Sequence, residues 1–293
     1  MENFAETYLK LSREDFSLLG AIETGMKAHE WVPISEISQL SGLPLRKVEH
    51  RLEQLFELKL VTRETLHYDG FQMDFDAYDL LALSDFVKRN FVSSIGDRIG
   101  VGKEAVVNAA MGNGPLAIKF HRQGRASFKH VRRLRDHLTD LPRLPWLHAA
   151  ALAARHEFEV MKKLYPAVAV PRPMALSRHA LAMEMIAGDQ LGRVTVSNPR
   201  DCLDMILDDV RKTWVQGIVH ADLSEFNILV AEGDEGPRII DWPQAVDLSH
   251  PHAEELLTRD VSNVLRFFWR KYKIEMPLES ALELVTGKEA GQV

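Results

Sequence analysis

In "HADLSEFNIL" an aspartate and an asparagine, Asp222 and Asn227, stand five positions apart, and a second aspartate, Asp241, ends the apolar run of "RIIDWPQAV". Such a trio divides the work of moving a phosphoryl group. An aspartate beside a hydroxyl takes or orients its proton, while an amide oxygen and a carboxylate hold Mg2+ against nucleotide phosphates. His220, just upstream of Asp222, reads as a packing residue that steadies the loop. In "IGVGKEAVV", Gly100 and Gly102 lack the side chains that would keep backbone amides from phosphate oxygens. Lys119 in "LAIKF" lies among apolar neighbours, where an ammonium is costly unless a carboxylate and a phosphate receive it. Glu157 in "RHEFEV" is the expected carboxylate, with Glu159 the near alternative.

These residues need elements to hold them. "SSIGDRIGVGKEAVVNAAMGNGPLAIKFH" reads as strands around two turns, the first through Gly100, Val101 and Gly102 and the second near Gly112–Gly114, with Lys119 on the third strand, Leu116 to Phe120. "HAAALAARHEFEVMKKLY", rich in Ala and Leu without interior Gly or Pro, reads as a helix. "HALAMEMIAGDQL" is an apolar strand running into a Gly188-containing crossover, and Pro199 to Gln216 is a further helix. The glycine segment is not a Walker A loop, because Lys103 is followed by Glu104 rather than Ser or Thr and the glycine spacing fails. Glycine loop, strand lysine, helix glutamate, hinge, D-x-x-x-x-N and aspartate follow the order of the protein-kinase signature set. The chain has HAD where many protein kinases have HRD, and DWP where they have DFG.

A different pattern precedes these motifs. Helical spacing from Phe16 to Lys27, a second short helix with Ser35 as the expected N-cap, and the "SGLP" break lead into a helix from Leu45 to Phe56. Its apolar side is Val48, Leu52, Leu55 and Phe56, leaving Arg46, Lys47 and Arg51 toward solvent. With the β-like runs around Tyr68-Asp69-Gly70, this is the pattern of a helix-turn-helix with a hairpin wing. Arg46, Lys47 and Arg51 are then candidates for nucleic-acid phosphates, against the plainer reading of a solvated helix face. "AYDLLALSDFVKRN" closes this part.

The formal net charge of −6 argues against bulk coating of nucleic acid, so basic patches have to be located by position. The single cysteine, Cys202, excludes an intramolecular disulfide and a cysteine-based zinc site, which fits a cytoplasmic setting. The acid-bearing start "MENFAETYLKLSREDF" is not a secretory signal, and no apolar run is long enough to span a membrane.

"GVGKEA", "HRQGRASF", "HADLSEFNIL" and "IIDWPQAV" resemble the glycine loop, flap start, catalytic loop and metal loop of the RIO family of atypical protein kinases, in its winged-helix subfamily. The resemblance implies an α+β fold: a bilobal protein-kinase-like (RIO) body preceded by an N-terminal winged helix. The expected divisions are residues 1–90 for the winged helix, 91–187 for the N-lobe with a flap at about 121–147, and 188–293 for a truncated C-lobe. It implies ATP with Mg2+, or Mn2+ in its place. Asp222 would be the catalytic aspartate, Asn227 and Asp241 the metal ligands, and Lys119 would pair with Glu157 over the phosphates. Gly100, Val101, Gly102, Lys103 and Glu104 would line the phosphates, and Met183, Glu184 and Ile186 the adenine hinge. Ser127 would be the autophosphorylated serine. The implied role is serine phosphorylation or ATP hydrolysis in maturation of the small ribosomal subunit, with rRNA and ribosomal proteins of its precursor as partners. Ala105 departs from the serine common after "GKE" in relatives, which removes one hydroxyl from the loop.

Two other readings compete. Aminoglycoside- or choline-type small-molecule kinases share "H-x-D-x-x-x-x-N-I-L" and "I-D-W", but are usually without a winged helix, and residues 242–293 leave little room for an elaborated acceptor pocket. A winged-helix regulator with a degenerate kinase body would not need Lys119, Asp222, Asn227 and Asp241 together.

Overall fold

The structure, a computed structural model, describes residues 4–65, 68–122, 146–231 and 236–287. Ser127 and nearly all of the expected flap lie outside these residues. The chain forms two compact units, Met1–Ala154 with Ala175–Ala182, and Arg155–Met174 with Met183–Val293.

The first unit begins with α1 (Phe4–Lys10), α2 (Arg13–Gly25), β1 (Val32–Pro33), α3 (Ile34–Ser41), α4 (Leu45–Glu57), β2 (Val61–Glu64), β3 (Gly70–Met73) and α5 (Phe75–Lys88). β3 pairs antiparallel with both β1 and β2, giving the expected wing. Ser12 and Asp15 form a reciprocal capping box, so α2 starts ahead of the expected Phe16. α3 is entered from Pro33 rather than capped by Ser35, since proline's fixed φ already suits a helix entry. Leu18, Ile22, Ile37, Val48, Leu52 and Leu55 fill the core, which also takes in Leu147. Phe56, placed by spacing on the apolar side of α4, is 50% exposed because it lies at the edge of that stripe.

A five-stranded sheet follows, ordered β4-β5-β6-β8-β7. Its strands are β4 (Ser94–Val101), β5 (Ala105–Met111), β6 (Pro115–His121), β7 (Pro173–Ser177) and β8 (Ala180–Glu184). Gly100 and Val101 pair with Val107 and Val106, so the strand runs through residues expected in the turn. The reversal is instead at Gly102 to Ala105, closed by the Gly102 amide on the Ala105 carbonyl at 2.8 Å. α6 (Trp146–Leu164) runs through the boundary between the two units.

The second unit contains β9 (Gly188–Gln190), α7 (Pro199–Val215), β10 (Ile218–Val219), β11 (Ile228–Ala231), β12 (Pro237–Ile239), β13 (Val246–Asp247), α8 (Ala253–Tyr272) and α9 (Leu278–Thr286). β11 lies between β12 and β9, while β10 pairs with β13. Leu203, Ile206, Leu207, Val261, Val264 and Phe268 are buried along α7 and α8. Among the described residues, no helix is long and apolar enough to cross a membrane.

Candidate active site

The second unit holds Asp222, Asn227 and Asp241 on two adjoining loops. Asp222 precedes β11 and Asp241 follows β12, and the antiparallel pairing of those strands, Ile228 opposite Ile239, brings the loops side by side. The Ile240 amide donates to the Asn227 carbonyl at 3.0 Å and extends that pairing to the loops. Asn227 Nδ2 donates to the Asp222 carbonyl at 2.8 Å. This fixes the amide orientation and leaves Oδ1 for another partner, so Asn227 and Asp241 offer the hard oxygen donors that a divalent cation such as Mg2+ prefers.

His220 is buried behind these loops, 4.5 Å from the Trp242 ring between centroids. Its Nε2 lies 3.0 Å from the Ile240 carbonyl, and its Nδ1 accepts the Asp222 amide at 3.3 Å. These contacts require the neutral tautomer protonated on Nε2. Burial, which lowers the pKa of His220, favours the same form. The imidazole thus ties the loop of Asp222 to the loop of Asp241, and the packing role read from the sequence has a specific hydrogen-bond basis.

Sequence reasoning missed what holds the loops in place. Ala221 and Asp241 have left-handed φ angles of 64° and 69°, uncommon for residues other than glycine. Ala221 is clamped on both sides: its amide donates to Asp260 Oδ2 at 2.7 Å, and its carbonyl accepts from Arg259. The Leu223 amide donates to Asp260 Oδ1 at 3.0 Å, and the Leu223 carbonyl accepts from Asn263 Nδ2 at 3.1 Å. One turn of α8 therefore supplies three side chains that brace the backbone on either side of Asp222. Burial raises the pKa of Asp260 to about 7, against the opposing pull of the two amides. The signal for this brace, "RDVSN", lies well downstream of the loop and looks like ordinary helix polarity.

Glu157 is 1% exposed, and its Oε1 accepts the Trp242 amide at 3.0 Å. Glu159 instead faces solvent, 3.5 Å from Lys162 on the same helix. Of the two glutamates, Glu157 is thus the buried one and braces the metal-loop backbone directly. Met183 and Glu184 end β8, where Glu184 exchanges backbone and side-chain bonds with Arg172 at 2.9 and 3.1 Å, and Ile186 lies in the link to β9.

The first unit holds Lys119, 6% exposed on β6 and paired across to Val107 on β5. Gly102, Lys103 and Glu104 form the turn between β4 and β5, with Lys103 exposed. On α4, Arg46 is exposed, whereas Lys47 lies 2.5 Å from Glu14, and Arg51 lies 2.8 Å from Glu14 and 3.1 Å from Asp15. Two of the three cations expected to face nucleic acid are therefore engaged by acids of α2.

The comparisons with known proteins agree with this organisation. A RIO domain model matches residues 105–281, and a model of the Rio2 N-terminal domain matches residues 8–89. The RIO-type serine/threonine-protein kinase Rio2 of Methanocaldococcus jannaschii is 40% identical over 258 residues, 85% of this chain and 94% of that one. The chain belongs to the RIO kinase family, in its Rio2 branch. The Dictyostelium discoideum serine/threonine-protein kinase rio2 is 36% identical over 89% of this RIO chain, which spans 51% of that relative's length. A crystal structure of the Rio2 kinase-ADP/Mg2+-phosphoaspartate complex from Chaetomium thermophilum superposes with a TM-score of 0.81 at 32% identity, covering 98% of this chain and 90% of that one. In this RIO chain the path from Asp241 to α8 is short, passing through buried Trp242 and the two residues of β13 before Ala253.

Proposed function

We propose that this chain is an Mg-ATP-dependent atypical serine/threonine-protein kinase and ATPase of the cytoplasm, acting in maturation of the small ribosomal subunit. The observation that carries the enzymatic part is the joint fixing of Asp222, Asn227 and Asp241 by His220, Asp260 and Glu157, with the Asn227 amide turned so that its oxygen is left for a metal. Asn227 and Asp241 hold Mg2+, which neutralises charge on the transferred phosphate. Asp222 orients the attacking hydroxyl or water and takes its proton. Lys119 and the Gly100–Glu104 segment receive phosphate oxygens, with Glu157 steadying the metal loop, and Met183, Glu184 and Ile186 receive the adenine. Ser127 is the proposed autophosphorylation site.

The phosphoaspartate named for the Chaetomium relative supports a hydrolytic reading alongside transfer to serine. On that reading Asp241 takes the γ-phosphoryl group from ATP with ADP leaving, and water, its proton taken by Asp222, then releases the group as inorganic phosphate. The ribosomal setting rests on the family resemblance. Within it, Arg46 is the α4 cation best placed to reach an RNA phosphate, because Lys47 and Arg51 already have acidic partners.

The test is ATP hydrolysis and self-labelling by the full chain, with and without purified small-subunit precursor. Stimulated hydrolysis with little label on protein serine supports an ATPase that times a step on the precursor. Absence of hydrolysis and of labelling in both conditions would contradict the enzymatic assignment.

A further inference from the structure

A buried charge cluster joins α5 to the ends of β6 and β8. Asp79 on α5 is 3% exposed and uses both carboxylate oxygens. Its Oδ1 lies 2.7 Å from His179 Nε2, and its Oδ2 accepts from Arg122. A second bond from Arg122 reaches Asp76 at 3.0 Å. The His179 ring stacks on Tyr78 with centroids 4.3 Å apart. His179 is fully buried, which lowers its pKa, and its neutral ring donates from Nε2 because a carboxylate can only accept.

The backbone around the cluster leads to the residues assigned to phosphate. Arg122 follows the last residue of β6, the strand of Lys119, and its amide donates to the Glu104 carbonyl at 2.6 Å. The His121 amide donates to the His179 carbonyl at 2.9 Å, just ahead of β8. One carboxylate thus ties together the end of Lys119's strand, the trailing side of the glycine turn and the start of β8. Burying an ionised cluster is an expensive way to attach a helix to a sheet, since apolar side chains of similar volume often do so at equal or lower cost. What charge-assisted contacts at both oxygens of one carboxylate add is fixed geometry. A separate clamp lies further along the same packing surface, where Arg178 bonds Glu23 of α2 at 2.8 and 2.9 Å and also bonds Asp85 of α5.

We propose that Asp79 is a positioning residue for the phosphoryl-transfer reaction: through Arg122 and His179 it sets the register of Lys119's strand and of the Gly102–Glu104 turn. The winged helix is then a working part of the phosphate-binding apparatus, beyond any role in docking a partner. This rests on the assignment of Lys119 to nucleotide phosphates under the proposed function.

The experiment uses the full chain with Asp79→Asn, Arg122→Lys and, as a packing control, Glu23→Gln. ATP hydrolysis gives KM and kcat, an ATP acyl-phosphate probe reports acylation of Lys119, and thermal melting reports stability. Asp79→Asn is expected to raise KM for Mg-ATP about tenfold while kcat stays within about twofold, and to slow Lys119 acylation. Glu23→Gln is expected to lower the melting temperature while leaving KM unchanged. Should Asp79→Asn fail to fold, Arg122→Lys carries the same expectation, because it keeps the charge but its ammonium falls one bond short of Nη2, the single nitrogen that reaches both Asp76 and Asp79. Wild-type KM and acylation in the folded Asp79 or Arg122 variant would overturn the proposal. So would a KM that rises in Glu23→Gln in step with lost stability. A wild-type chain that neither hydrolyses ATP nor reacts at Lys119 would instead sink the nucleotide reading, and the proposal with it.

Discussion

Single residues here are held in place by specific hydrogen bonds from their neighbours. Asn227 shows its oxygen because its nitrogen is spent on the Asp222 carbonyl, and Asp241 keeps a left-handed backbone with the next amide anchored on Glu157. If Asp241 is a metal ligand, Asp241→Asn should weaken Mg2+-supported nucleotide binding about 10- to 100-fold, the usual range for disturbing a metal site. Titrating a fluorescent ATP analogue in Mg2+ and in EDTA checks this. The wild type should bind far better with metal, and the variant should lose most of that difference; an unchanged titration would remove Asp241 from the metal site. The candidate roles of these residues came from type and spacing together: D-x-x-x-x-N followed by an aspartate after an apolar run follows the kinase signature order. Glu157 was preferred to Glu159 because it stands just before the apolar Phe158, and it is the buried one of the two.

Among the elements, α8 does most to shape the catalytic loop. Asp260 has its pKa raised from 3.8 to about 7 by burial, so the folded chain favours its protonated form. Its contribution to stability is therefore complete below about pH 4 and is lost as pH rises through about 7. Asp260→Asn, which cannot titrate, should flatten that dependence. Urea midpoints at pH 5 and pH 8 measure it, with a larger fall expected in the wild type than in the variant. The same variant should lower turnover, since an amide cannot accept from the Ala221 and Leu223 amides on both of its ends. On α4 the expectation changes with the ion pairs to α2. Arg46→Gln should reduce the salt slope of RNA binding by about one, whereas Lys47→Gln should change it less because Glu14 already offsets that charge. Filter binding across a salt series distinguishes them, and equal slopes for both variants would argue that the Glu14 pair opens on binding. Helix α1, strand β7 and helices α8 and α9 went unread, while the helices and strands that periodicity marked were legible to within a few residues. Their ends were not: Pro33 displaced Ser35 at the start of α3, and strand pairing carried β4 through Gly100. Both depend on contacts distant in sequence. The braces Asp260 and Asp79 escaped for the same reason, because a single acid in an amphipathic helix carries no local sign of the loop or strand end it will hold.

At the scale of the whole molecule, a Rio2 N-terminal domain over residues 8–89 precedes a RIO domain over residues 105–281. This much was legible from the resemblance of the loop sequences to the RIO family together with the winged-helix pattern ahead of them, which the small-molecule kinases sharing the "IDW" loop usually lack. Acids exceed bases, and the cations of α4 are largely answered from within, so specific contacts rather than a general positive field must govern any RNA partner. The short path from Asp241 to α8 leaves no long segment between them to act as a switch. The central claim, that Asp222 drives Mg-ATP-dependent phosphoryl transfer, is tested most directly by single-turnover release and self-labelling from γ-labelled ATP, comparing the wild type with Asp222→Asn. The account expects nucleotide affinity within about threefold of wild type and a rate lower by about 10²- to 10⁴-fold, the range for losing a positioned base. Equal single-turnover rates in the two proteins would contradict it.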